Sequence, residues 1–174
     1  MSKPASPAAV DQLCPNCGLC CDSTLFADVE LRAGDDAQRL ATLGLTLGKK
    51  TRTILAFPQP CACFDGKFCT IYLDRPGRCR TFACGLLQGV QSGKLDADAA
   101  LKKISQARFL AETVRGLLRE LGQTNEELAM TKRYAMAMSA PIDLADPEVS
   151  SEKRGELMLA VDSLMRRLQR DFLK

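Results

Sequence analysis

The chain has 174 residues, a formal charge of +3 and an apolar fraction of 46%, which describes one domain of ordinary size with enough apolar residues for a core. No apolar run is long enough to span a bilayer. Nine cysteines and no histidine exclude Ser–His and Cys–His nucleophile pairs, remove the commonest general base, and oblige any soft-metal site to be built from sulfur.

Residues 1–12 read as a flexible lead-in without the apolar stretch of a signal peptide. The expected compartment is therefore the reducing cytoplasm. There, clustered cysteines mean metal or redox chemistry more often than disulfides, and an odd count fits poorly with a closed disulfide set. Residues 13–93 form a cysteine-rich metal-binding region, irregular and rich in Gly, Pro, Cys and Thr. Within it, Leu25 to Leu31 reads as a short strand or extended segment. Asp35 to Leu43 reads as a short helix stopped by Gly44. Thr51 to Phe57 has β-favouring residues and runs into Pro58 and Pro60, which suits an edge strand.

Residues 94–174 form a helical region packing on the first. Apolar positions from Ala97 to Leu121 keep helical periodicity for about seven turns, with Asp96 as the cap and Gly122 as the stop. Thr124-x-x-Glu127 reads as a capping box opening a second helix through about Met138. Asp146-Pro147 begins a third, striped by Leu157, Val161, Leu164, Met165, Leu168 and Phe172. The predicted fold is mainly α: an irregular cysteine-rich region with little or no β, followed by a bundle of about three helices.

All nine cysteines, from Cys14 to Cys84, are candidate ligands. Cys14-Pro15-Asn16-Cys17-Gly18 has the form of a knuckle that aims two thiolates at one metal. Cys20 and Cys21 follow as neighbours, and adjacent side chains do not easily converge on one tetrahedral centre. They serve different metals, or one bridges while the other terminates. Cys61, Cys63, Cys69, Cys79 and Cys84 form a second, irregular set, with the Arg75-Pro76-Gly77 turn returning Cys79 towards it. Arg75 and Arg80 are placed to offset the negative charge of an all-thiolate site. Eight thiolates on two divalent zinc ions would take the net charge from +3 to about −1. This weakens a nucleic-acid reading based on the basic isoelectric point, and the basic residues form no stripe.

Cys14-x-x-Cys17-Gly18-x-Cys20-Cys21, then Cys61, Cys69-x-Ile71-Tyr72-x-x-Arg75-Pro76 and Cys79-Arg80-x-Phe82, resemble the YkgJ-type CxxCxxCC cysteine-cluster family of bacteria, associated with zinc or iron chelation. The resemblance covers about residues 14–93 and joins two separated motifs in order. It implies a metal-cluster domain with Cys14, Cys17, Cys20, Cys21, Cys61, Cys69 and Cys79 as ligands by position. One of Cys63 and Cys84 would complete an even set, leaving the other free or buried.

Zinc ranks first as the cofactor and an iron–sulfur cluster second. The leading function is a metal-binding protein. Its alternatives are an iron–sulfur protein in electron transfer or redox catalysis, and storage or delivery of zinc or copper(I). An enzyme is the lesser reading, because Asp22, Asp28, Glu30, Asp65 and Asp74 form no paired-carboxylate pattern. The expected partners are metal ions, with neither membrane nor nucleic acid. A protein partner would dock on the C-terminal helices.

Overall fold

The computed structural model describes residues 13–141 and 147–173. The lead-in at 1–12 and the capping residue Asp146 lie outside the described residues. The fold is mainly α, 54% helical and 7% strand, with the strand confined to one small sheet. No helix among the described residues is long and apolar enough to cross a membrane.

A helical turn at 13–17 carries the first two cysteines. Strand β1 (Asp28–Glu30) and helix α1 (Ala37–Thr42) follow, the helix capped by Asp36, whose side chain accepts from Arg39 N. Gly44 ends it at φ +102°, a conformation that glycine adopts without strain. Strands β2 (Gly48–Lys49) and β3 (Leu55–Pro58) complete an antiparallel sheet in the order β1-β3-β2. The expected edge strand is thus the central one. Pro58 is tolerated because it is the last residue of β3, opposite Asp28 at the end of the register. Val29 pairs with Phe57, and both are buried in a small core with Leu40, Leu45 and Ile71.

The chain then makes a 3-10 turn at Tyr72–Asp74 and two short helices, α2 (Gly77–Thr81) and α3 (Gly85–Gln91). The long helix α4 (Ala97–Glu120) opens with Asp96 Oδ1 accepting from Ala99 N at 2.7 Å. Its buried face is Ala100, Ile104, Ala107, Ala111, Val114 and Leu118. The alanines let α6 (Pro147–Asp171) lie close along it, seating Leu157, Leu164, Leu168 and Phe172 in the main core. Met165, expected on the buried stripe, is 42% exposed.

Between them lies α5 (Met130–Ser139), which starts later than the Thr124–Glu127 pattern predicts. No capping box closes there. Instead Asn125 Oδ1 accepts from Glu127 N in a turn, and the buried hydroxyl of Ser23 accepts from Met130 N at 3.1 Å. A residue more than a hundred positions upstream thus caps the helix, which local sequence does not reveal.

Candidate metal centre

The main core and the small sheet core flank one cavity of about 510 Å³. Cys14, Cys17, Cys20 and Cys21 line it from the N-terminal run, and Cys61, Cys69, Cys79 and Cys84 line it from the later segments. All nine cysteines are free thiols, so the adjacent pair Cys20–Cys21 is not a disulfide.

Local backbone chemistry explains each placement. Gly18, at φ +75°, reverses the chain after the knuckle, and its carbonyl accepts from Cys21 N and Asp22 N. A side chain at Gly18 would meet Phe64 Cζ at 2.7 Å, so the ring packs directly on the turn. Arg115 on α4 then holds the segment down. It pairs with Asp22 Oδ2 at 2.9 Å and donates to Asp22 O and Thr24 Oγ1. Cys61 N donates to Cys21 O at 2.8 Å, tying the two cysteine segments together. Asp65 Oδ1 accepts from Lys67 N and Phe68 N, and this turn returns the chain so that Phe64 bridges Cys69. Helix α2, carrying Cys79, is anchored where Asp35 Oδ1 accepts from Gly77 N at 2.7 Å. Cys84 stands just before α3, and the next amide, Gly85 N, donates to Phe172 O at 3.0 Å.

Cys63 is placed differently. It is buried, does not line the cavity, and its Sγ donates to Leu43 O at 3.3 Å. The two cysteines that sequence left as alternatives thus occupy different surroundings, with Cys84 at the cavity and Cys63 away from it.

Arg75 lines the cavity with its guanidinium 3.5 Å from the Tyr72 ring centroid, and its Nε donates to Tyr72 O at 2.7 Å. Its charge acts on Cys14 from the N-terminal run and on Cys69 and Cys79 from the later segments. Arg80 is exposed and is not among the cavity residues. Arg78 lines the wall instead, as does Gln59, buried with its Oε1 lacking a hydrogen-bond partner. Nothing in the local sequence marks Gln59, whose place in the wall is visible only once β3 is placed.

Burial governs the thiols' acidity. It pushes Cys17 and Cys61 up to about 12 and Cys79 to about 11. Cys14, Cys20, Cys21, Cys63 and Cys69 rise for the same reason; neighbouring thiols add to the effect at the first four, and the Asp65 carboxylate adds to it at Cys69. These sulfurs are therefore protonated at neutral pH unless a cation takes the place of the protons. Among the described residues, no three Cys, Asp or Glu side chains are grouped closely enough to hold one ion between them. The donor set matches a soft metal in chemistry, with the sulfurs standing around a cavity and not closed on a point.

The CxxCxxCC family model, described as "Putative zinc- or iron-chelating domain", matches residues 13–105. The chain belongs to the CxxCxxCC family. Comparison with curated proteins and with solved structures found no match. The CxxCxxCC match runs past the last cysteine into the first turns of α4, farther than the resemblance read from the motifs alone.

Proposed function

We propose that this CxxCxxCC domain holds zinc or iron through the thiolates of Cys14, Cys17, Cys20, Cys21, Cys61, Cys69, Cys79 and Cys84. One observation carries the reading: eight of the nine thiols, drawn from distant parts of a chain without histidine, face the same cavity. Arg75, on the cavity wall and stacked on Tyr72, acts on thiols of both segments and would offset the charge that eight thiolates gather. Zinc would act as a cross-link, ordering a region whose own apolar core is small.

A second reading, an iron–sulfur centre, draws support from the cavity. A single zinc pulls four sulfurs to within about 2.3 Å of itself and needs no space beyond that. A cavity of about 510 Å³ with its sulfurs spread around the wall suits a larger, polynuclear centre. Such a cluster would supply one-electron chemistry.

Elemental analysis and a visible spectrum of one anaerobic preparation test both readings. Stoichiometric zinc in a colourless protein selects zinc. Iron, sulfide and absorbance near 400 nm select the cluster. Protein that binds neither metal after reconstitution overturns the proposal.

A further inference from the structure

Resting on the reading that these thiols bind metal, we infer that on loading they close into two separate four-cysteine centres: Cys14, Cys17, Cys20 and Cys84 in one, Cys21, Cys61, Cys69 and Cys79 in the other.

Packing is the first ground. Cys17 and Cys84 lie against the helical core that contains Leu13, Leu19, Leu86 and Phe172. Cys21, Cys61, Cys69 and Cys79 lie against the other core, around Val29, Leu40, Phe57 and Ile71, as does Cys63, which alone of these five does not line the cavity. Backbone bonds keep the same division. Gly85 N donating to Phe172 O seats Cys84 beside the end of α6, whereas Cys61 N donating to Cys21 O joins two members of the other set.

Cys14 shares the helical turn at 13–17 with Leu13 and Cys17, which both lie against the helical core. The charge interactions agree with this placement: Cys14, Cys17 and Cys20 each act with Cys84, whereas Cys21 acts with Cys61, Cys69 and Cys79. Cys20 acts also with its chain neighbour Cys21, and Cys61 and Cys69 act with Cys63. Consecutive side chains diverge, so a vicinal pair at the boundary between two sites can serve one each. Arg75 lines the same cavity, and its charge reaches members of both groups.

Cys63 belongs to neither centre. Its thiol is satisfied as a donor to Leu43 O. A thiolate would have no proton to donate and would face that carbonyl oxygen as a second negative pole.

The test uses the full chain loaded with zinc, or with iron and sulfide, and then challenged with a competing chelator. Metal content is read by native mass spectrometry, and folding by far-ultraviolet circular dichroism. Cys84→Ser and Cys79→Ser should each retain half of the wild-type metal, the double variant none, and Cys63→Ser all of it. Loss of all metal in either single variant with the helical signal intact means one shared centre and overturns the partition. Loss of metal in Cys63→Ser overturns it as well. Wild-type protein that binds no metal overturns the metal reading itself, and the partition with it.

Should a variant fail to fold, wild-type protein answers the same question. Partial chelation followed by rapid alkylation and peptide mapping should expose Cys14, Cys17, Cys20 and Cys84 together while Cys21, Cys61, Cys69 and Cys79 stay protected, or the reverse. Release of all eight in one step overturns the inference.

Discussion

Replacing Arg115 with methionine keeps the aliphatic stem against α4 and removes the guanidinium that clamps the segment after Cys20–Cys21. The lost interactions are the pair to Asp22 Oδ2 at 2.9 Å, hydrogen bonds to Asp22 O at 3.1 Å and Thr24 Oγ1 at 3.0 Å, and a longer pair to the exposed Glu112 at 3.7 Å. The Arg115 and Asp22 side chains are mostly shielded, at 17% and 20% exposure, so screening by water is incomplete. Bonds of this charged kind contribute about 1.5–3 kcal/mol, and losing the set should cost about 2–3 kcal/mol. For a chain of this size that lowers the melting temperature by about 4–12 °C. The consequence for metal follows from which state loses more. Metal-free protein recovers part of the cost by letting the freed segment move, whereas the loaded protein must hold it in place without the clamp. Affinity should therefore fall, by up to about 30- to 150-fold. Competition with a chromophoric chelator measures it, beside thermal unfolding of both forms. An unchanged affinity together with a lowered melting temperature would refute the idea that the clamp positions the cysteines.

Three further outcomes follow from single contacts. Gly18→Ala places a side chain at φ +75° and 2.7 Å from Phe64 Cζ; the backbone alone costs about 1–2 kcal/mol, and urea midpoints should fall further than for Gly34→Ala, where nothing lies within 4 Å. Ser23→Ala leaves Met130 N buried without its acceptor, costing about 1–3 kcal/mol, and hydrogen exchange at the start of α5 should quicken while α4 stays protected. Burial pushes the Asp171 carboxyl up, but bonds from Lys103 and Arg167 outweigh it and hold the carboxyl below its ordinary value. A depressed carboxyl stabilises above its unfolded value of about 3.9 and loses that contribution as pH falls through its folded one. Stability curves of wild type and Asp171→Asn should therefore converge below about pH 4; a constant difference down to pH 2 would contradict this account.

Helices that bury one stripe over many turns were readable from sequence, because burial repeats with the helical period. Ala100, Ile104, Ala107, Ala111, Val114 and Leu118 are all buried on α4, and Asp96 and Gly122 bound it by local chemistry alone. The start of α5 was not readable, because its cap comes from Ser23 across the molecule. Helix α3 was missed for a related reason. It has two glycines in seven residues and a cysteine at its cap, so propensity argues against it, and it is held by burying Leu86 and Val90 in the main core. Strand order failed likewise: the prolines after Phe57 suit an edge in isolation, but the register ends at Pro58 and leaves β3 free to pair on both sides.

For the site, spacing singled out the cysteines as candidates but could not distinguish Cys63 from Cys84. Neither their spacing nor the family motif ranks the two. In space they part. Cys63 turns to Leu43 O, and Cys84 reaches the cavity because α3 leaves from it beside the C-terminal end of α6. This makes the helical region part of the candidate centre, since Phe172 O fixes the amide next to Cys84. In the proposed partition the adjacency of Cys20 and Cys21, awkward for one tetrahedral ion, becomes economical, because one backbone step would carry the chain from a centre resting on the helices to a centre resting on the sheet.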